Sequence, residues 1–332
     1  GIQKDLDDGI DTIGKKMTVC QLYAKQIRHR GNVRYNTKSG RKRLMKLLEE
    51  DKLGGCPIDS VKLSDAKEWA IRMKEKGISY KTISNDKRSL KAAFYTAIQD
   101  DCIRKNPFDF QLNTVIEDDT EPKVPLTPAQ EESFLSFAQN DKVYQKYYDE
   151  LIILLGTGLR ISELCGLTDT DIDFENRIIN VDHQLLRSAE TGYYIETPKT
   201  KSGIRQIPMS EKVYEAFNRV LKRRRDAKAV TIDGYSNFLF RNRDGYPKTA
   251  TNYDGMFRGL AKKYNKYHEE ALPKVMTPHT LRHTFCTNMA NAGMNPKALQ
   301  YIMGHSNITM TLNYYAHATF DSAKAEMLRI AA

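Results

Sequence analysis

Near the end of this 332-residue chain, two histidines, an arginine and a pair of tyrosines fall at short fixed intervals: His279-Thr-Leu-Arg282, then Met303-Gly-His305, then Tyr314-Tyr315. An arginine offers a planar fork of donors that stays ionised at any working pH and matches two phosphate oxygens. Imidazoles exchange protons near neutrality, and a phenol becomes a nucleophile once a neighbour takes its proton. Together these groups suit attack on a phosphodiester. A single histidine or tyrosine on a helix is commonly a packed residue, so the weight falls on the joint spacing. Two upstream stretches add groups of the same kind: Thr157-Gly-Leu-Arg160-Ile-Ser-Glu163-Leu164 and Lys201-Ser-Gly-Ile-Arg-Gln-Ile-Pro208.

Short helices and tight turns must deliver them. Thr277 reads as an N-cap with Pro278 at the first helical position and Gly293 at the end. On that helix His279 and Arg282 share a face, while Leu281, Phe285 and Met289 repeat every four residues as an apolar stripe, so the polar pair is expected to point out of the core. A second helix starts at Asn295-Pro296 and stops at Gly304, placing His305 just beyond. A third, capped by Ser306 or Asn307, is expected to carry Tyr314 and Tyr315. Upstream, the apolar run Leu151-Ile-Ile-Leu-Leu ends at Gly156, and Gly158 permits a tight turn that sets Arg160 at or near a helix N-terminus, where backbone N–H groups face an anion. Glu163, one turn on, either orients Arg160 or forms an exposed pair of little worth.

These fragments, in order, resemble the tyrosine recombinase (phage-type integrase) family, and in detail the integrases of bacterial conjugative transposons. The family shows Thr-Gly-x-Arg-x-x-Glu-Leu, a lysine on a β-hairpin seven residues before a proline, His-x-x-Arg, Leu/Met-Gly-His, and a tyrosine nine residues after that histidine. The resemblance implies a catalytic set of Arg160, Lys201, His279, Arg282, His305 and Tyr314, with the two arginines and His305 on the phosphate, His279 as base and Lys201 as proton donor to the leaving 5′ oxygen. Lys199 competes with Lys201. Tyr314 has the family spacing from His305, whereas the family's Tyr-x-His pattern picks Tyr315-Ala-His317. The implied reaction is site-specific cutting and rejoining of DNA through a 3′-phosphotyrosyl bond, with no cofactor. Implied partners are double-stranded DNA, further copies of the chain (a dimer per site, a tetramer in synapsis), and accessory proteins that bend DNA or favour excision. The implied fold is mainly α with a small β-sheet: an N-terminal helical DNA-binding bundle and a C-terminal mixed α/β catalytic domain. Two other readings stay open, a type IB topoisomerase and a DNA-binding regulator without chemistry.

Composition sets the frame. At this length two domains are expected. Five scattered cysteines, none in Cys-x-x-Cys, argue for reduced thiols and against a zinc site. His279 and His283 have the spacing of a metal pair, but Thr280 stands where His-Glu-x-x-His needs glutamate. No metal is expected. No apolar run spans a bilayer, so the expectation is a soluble protein of the bacterial cytoplasm, with the nucleoid when DNA-bound. The opening Gly1 suggests a trimmed N-terminus and a module upstream of it.

The net charge of +10 is not evenly spread: residues 17–110 hold 21 Lys/Arg against 11 Asp/Glu, and the other residues balance at 31 against 31. Phosphate-backbone binding favours such a surplus, because neutralised phosphates release counterions; the plain alternative is a solvated basic face. Residues 1–16 read as a tail. Residues 17–110 show four helical segments, from Thr18, about 37–50, 64–77 and 79–98, as in a small bundle. Arg41, Lys42, Arg43, Tyr80, Lys81, Thr82, Asn85, Lys87, Arg88 and Lys91 are its candidate DNA contacts. Residues 111–126, rich in acid and proline, read as a linker, and 127–332 as the catalytic domain, with strands over 177–208 and a C-terminal helix at 320–332.

Overall fold

A computed structural model describes residues 16–31, 33–198, 200–223, 230–315 and 327–328. The chain divides into two compact units between Pro122 and Lys123, and it is mainly helical, with small antiparallel sheets in the second unit only among the described residues. No helix among these residues is long and apolar enough to cross a membrane.

The first unit is built on four helices, α1 (Val19–His29), α2 (Tyr35–Glu49), α3 (Leu63–Glu75) and α4 (Tyr80–Gln99). Local chemistry starts α1 and α4: Thr18 and Gln21 cap each other's backbone N–H groups, and the Ser79 hydroxyl accepts from Thr82 N–H. Trp69, Phe94 and Phe108 are wholly buried, with Trp69 edge-on to Phe108 at 5.8 Å. Leu112 and Ile116 bury in the same core, and Leu126 buries in the core of the second unit. The expected linker is therefore shorter than 111–126, because its apolar residues at either end are claimed by the two cores.

The second unit opens with α5 (Pro128–Asn140), started by a reciprocal Thr127–Gln130 capping box. Then come α6 (Tyr148–Thr157), α7 (Ile161–Gly166), β1 (Ile172–Asp173), β2 (Ile178–Val181), β3 (Gln184–Ser188), β4 (Gly192–Glu196) and β5 (Arg205–Pro208). Helices α8 (Glu211–Lys222), α9 (Ala250–Tyr267), α10 (Pro278–Asn291), α11 (Pro296–Met303) and α12 (Thr309–Leu312) follow. β1, β2 and β5 form one antiparallel sheet, and β3 and β4 form a separate hairpin. Ile207 pairs with Ile179, and both are buried, which draws β5 to β2 rather than to β4. The expected β-hairpin lysine is corrected by this: Lys201 lies on the crossover between two sheets, in a 3₁₀ turn, Lys201–Gly203. Strand β1 lies outside the range of 177–208 expected for strands.

Candidate active site

Helix α6 ends in a left-handed turn at Gly158, φ 63°, where a Cβ would lie 2.4 Å from Phe285. That turn makes Arg160 the N-cap of α7. The Arg160 N–H donates to Glu163 Oε2 (2.8 Å), Nη1 to Glu163 Oε1 (2.7 Å) and Nη2 to the Gly304 carbonyl (3.0 Å). Glu163 is 3% exposed, so the exposed-pair reading of Arg160–Glu163 does not apply. From the other side Arg205 donates to both Glu163 oxygens, at 2.9 and 3.1 Å. Burial alone would push the Glu163 carboxyl up; the Arg205 bonds and the charges of Arg205, Arg160 and Arg282 outweigh it and hold the carboxyl down at about 2.

Helix α10 corrects a second expectation. Arg282 does not point out of the core: it is 3% exposed, with Nη1 donating to the Gly158 carbonyl at 2.6 Å and Nη2 to the Met303 carbonyl. The side of α10 that carries Arg282 is covered as well: Leu281 packs in the main core of the unit, while Cys286 and Ala290, one and two turns on from Arg282, pack in a smaller one that includes Leu299 and Met303. Burial, then the neighbouring Arg160, push the Arg282 guanidinium down to about 9, which leaves it charged at neutral pH. His279, on the same helix, is open to solvent on one side. Desolvation of the rest of its ring, followed by Lys123 and Arg282, push it down to about 4.

Gly304, left-handed at φ 59°, ends α11 and turns the chain to His305. His305 is buried, with Nδ1 2.9 Å from the Thr311 hydroxyl. Burial and then Arg282 and Arg160 hold it at about 4, so it is neutral at working pH. Helix α12 has four residues, and Tyr314 and Tyr315 follow it in a turn instead of riding on it. The Tyr314 ring meets His283 edge-on at 4.8 Å and lies nearly parallel to His305 at 6.5 Å. Its pKa is raised by desolvation and Cys286, against Arg282. The Tyr315 hydroxyl is committed elsewhere, donating to the Met294 carbonyl at 2.5 Å.

Arg160, Arg282, His305 and Tyr314 thus share one locality, and the Lys201 turn borders it: the Ser202 carbonyl oxygen is 3.0 Å from where a Gly304 Cβ would stand. Lys199 and the C-terminal helix expected at 320–332 lie outside the described residues, apart from Met327 and Leu328. Sequence reasoning missed Arg205 and the contact of His283 with Tyr314. One signal pointed to Arg205, which alternates in phase with inward Ile207 along β5. An arginine at an inward strand position implies a buried partner.

In the first unit, Lys81, Asn85 and Arg88 are exposed along one face of α4. Other candidates are engaged within the unit: Arg43 with buried Asp86, Lys91 with Asp109 at 2.5 Å, and Lys87 over the Phe110 ring at 4.5 Å. Tyr80 packs on the core, and Thr82 is partly buried. Arg41 and Lys42 line a groove of about 510 Å³ beside Ile27 and Met45. Among the described residues, the one group able to bring metal-ligating atoms together is Asp171, Asp182 and His183. It contains none of the site residues, and both His183 nitrogens are taken, by Asp182 (2.5 Å) and the Gly166 carbonyl (2.8 Å).

Residues 125–322 match the phage integrase family. The chain belongs to that family. The transposase from transposon Tn916 of Enterococcus faecalis is 69% identical over 99% of this chain and 81% of its own length. The tyrosine recombinase XerC of Bacillus subtilis is 27% identical over 80% of this chain and 78% of its own. The integrase of transposon Tn1549, solved in complex with a circular intermediate DNA, is 78% identical over 95% of this chain and 99% of that one, with a TM-score of 0.91. A lambda integrase dimer on a core site, 15% identical with a TM-score of 0.61 over 91% of this chain and 79% of that one, shares the fold. This integrase is a tyrosine recombinase of the conjugative-transposon type, an enzyme of DNA strand cleavage and joining that serves site-specific excision and integration.

Proposed function

We propose that Tyr314 attacks one phosphate of duplex DNA, forming a 3′-phosphotyrosyl bond as the bond to the 5′ oxygen breaks. Reversal on a new partner strand then moves a mobile element out of or into a chromosome. The observation that carries this reading is the meeting of Arg160 and Arg282 on the adjacent carbonyls of Gly304 and Met303, beside His305 and Tyr314. A guanidinium has five N–H donors, and neither fork spends all of its donors on these protein partners. The remaining donors meet the charge that grows on the non-bridging oxygens. With Nδ1 of His305 against Thr311, Nε2 is the nitrogen that donates to the phosphate.

His279, held neutral, takes the phenol proton, and Lys201 gives one to the leaving 5′ oxygen. The contact of His283 with the Tyr314 ring favours a second assignment of the base, and cleavage rates of His279→Gln and His283→Gln separate the two. The diester bond energy is kept in the tyrosyl phosphate, so the step needs neither ATP nor a metal. The Tn1549 integrase has been solved with an arginine-to-lysine and with a tyrosine-to-phenylalanine substitution as far apart in sequence as Arg160 and Tyr314, which supports Tyr314 over Tyr315.

The basic first unit grips the duplex backbone, with two copies per site and four in synapsis, assisted by proteins that bend DNA or favour excision. The place of action is the cytoplasm, at the nucleoid. A nicked suicide duplex tests the chemistry: a covalent adduct at one sequence supports this reading. Adducts at many sequences, with relaxation of supercoils by a monomer, favour topoisomerase chemistry, and no adduct overturns the covalent step.

A further inference from the structure

Arg205 has no role in the catalytic set, yet its side chain is wholly enclosed. Its guanidinium ends on three separate pieces of the site. Nη1 and Nη2 hold Glu163, which in turn holds Arg160. Nε donates to the Ile302 carbonyl, at the end of α11, at 2.5 Å. Nη1 also donates to the Gly203 carbonyl, inside the Lys201 turn, at 3.0 Å.

The turn's other hydrogen bonds among the described residues are local: Gly203 N–H to the Thr200 carbonyl, Ile204 N–H to the Lys201 carbonyl, and the Thr200 and Ser202 hydroxyls to each other at 2.8 Å. It is pressed closely onto Gly304, whose missing Cβ would stand 3.0 Å from the Ser202 carbonyl oxygen and 3.1 Å from Arg205 Nη1.

We infer that Arg205 is a positioning residue that pins the Lys201 turn to the Arg160–Glu163 pair and to the end of α11, so that the Lys201 ammonium is delivered to the leaving oxygen. The inference rests on the reading of Lys201 as proton donor. In that step the tyrosyl O–P bond forms, the P–O5′ bond breaks, and a proton passes from Lys201 Nζ to the 5′ oxygen, leaving a neutral amine that solvent recharges. A displaced turn leaves the phosphate-binding arginines charged but the departing alkoxide without its proton.

The test uses a leaving group that needs no proton. Single-turnover formation of the covalent adduct is measured for the full chain, for Lys201→Ala and for Arg205→Lys, on an ordinary duplex and on one with sulfur at the bridging 5′ position. Arg205→Lys keeps a cation beside Glu163, but one ammonium cannot span the Ile302 and Gly203 carbonyls. On the ordinary duplex it is expected to be about 10²-fold slow or slower, the range of a lost general acid. On the sulfur duplex it is expected within a few-fold of the unmodified protein, as is Lys201→Ala.

Wild-type speed on the ordinary duplex, or an equal deficit on both, overturns the inference. Failure of the sulfur duplex to rescue Lys201→Ala overturns the reading of Lys201 and the inference with it. Rescue of Lys201→Ala but not of Arg205→Lys overturns the inference alone. Should Arg205→Lys melt below the assay temperature, both duplexes are compared at a lower temperature where it is folded, and the same pattern is required.

Discussion

Arg160 and Arg282, far apart in the chain, donate to neighbouring carbonyls, Arg160 to Gly304 and Arg282 to Met303. Backbone that both arginines hold brings their charges to one place, next to His305. Replacing Arg160 by lysine keeps the charge and loses the fork. Adduct formation should fall about 10²- to 10³-fold, the usual loss for one donor to a growing oxyanion, while duplex affinity by filter binding changes only a few-fold. A parallel loss of affinity would place Arg160 in binding rather than in chemistry.

Acid should destabilise the protein in a defined window. His305 is held at about 4 in the fold against an ordinary 6.5. Between those values the unfolded chain binds a proton that the folded chain refuses, so stability falls as pH drops from about 6.5 to about 4 and then levels off. The loss is of order 3 kcal/mol by the usual 1.36 kcal/mol per pH unit. His279 adds less, being open to solvent. Glu163, held at about 2 against 4.5, works in a lower window, and its contribution is lost only as pH falls from about 4.5 through 2. Melting curves from pH 7 to 4 should show the slope, and His305→Gln should flatten it; an unchanged slope would assign the acid sensitivity elsewhere.

The buried Glu163 is expected to be worth more to the fold than its place beside Arg160 suggests. Glu163→Ala leaves Arg205 as an enclosed cation with no carboxylate, a change that costs about 3–5 kcal/mol in other buried pairs. Thermal denaturation measures it, and a loss under about 1 kcal/mol would mean that Arg205 finds other partners.

On the first unit, Lys81 and Arg88 should contribute to backbone binding one charge at a time. Alanine at either is expected to weaken binding about equally on target and unrelated duplexes and to lower the salt slope by about 1. Lys91→Ala should do less, because its ammonium is already tied to Asp109. Equal slopes for all three would remove the distinction between exposed and paired cations.

What could be read from residues alone was local. Thr127-Pro128, Thr277-Pro278 and Asn295-Pro296 announce helix starts, and Gly158 and Gly304 announce left-handed ends, because caps and turns are decided by a few neighbours. Tertiary contacts decided the rest. The stripe of Leu281 and Phe285 implied a solvent face for Arg282, yet a second small core covers that side of α10. The hairpin expected around Lys201 failed because Ile207 finds its partner in β2, a pairing that no spacing encodes. Arg205 was passed over although its phase with Ile207 marked it as buried. Spacing from His305 pointed to Tyr314 and the Tyr-x-His pattern to Tyr315; a hydrogen bond to Met294 sets Tyr315 apart.

In the proposed reaction Tyr314 and no other residue is joined to the DNA. Adduct trapped on a nicked duplex should be digested and its modified peptide sequenced by mass spectrometry, alongside Tyr314→Phe and Tyr315→Phe. Phosphate is expected on Tyr314, with no adduct from Tyr314→Phe and adduct from Tyr315→Phe at a stability cost of about 1 kcal/mol for its missing hydrogen bond. Phosphate on Tyr315, or undiminished adduct from Tyr314→Phe, would rule out Tyr314 as the nucleophile.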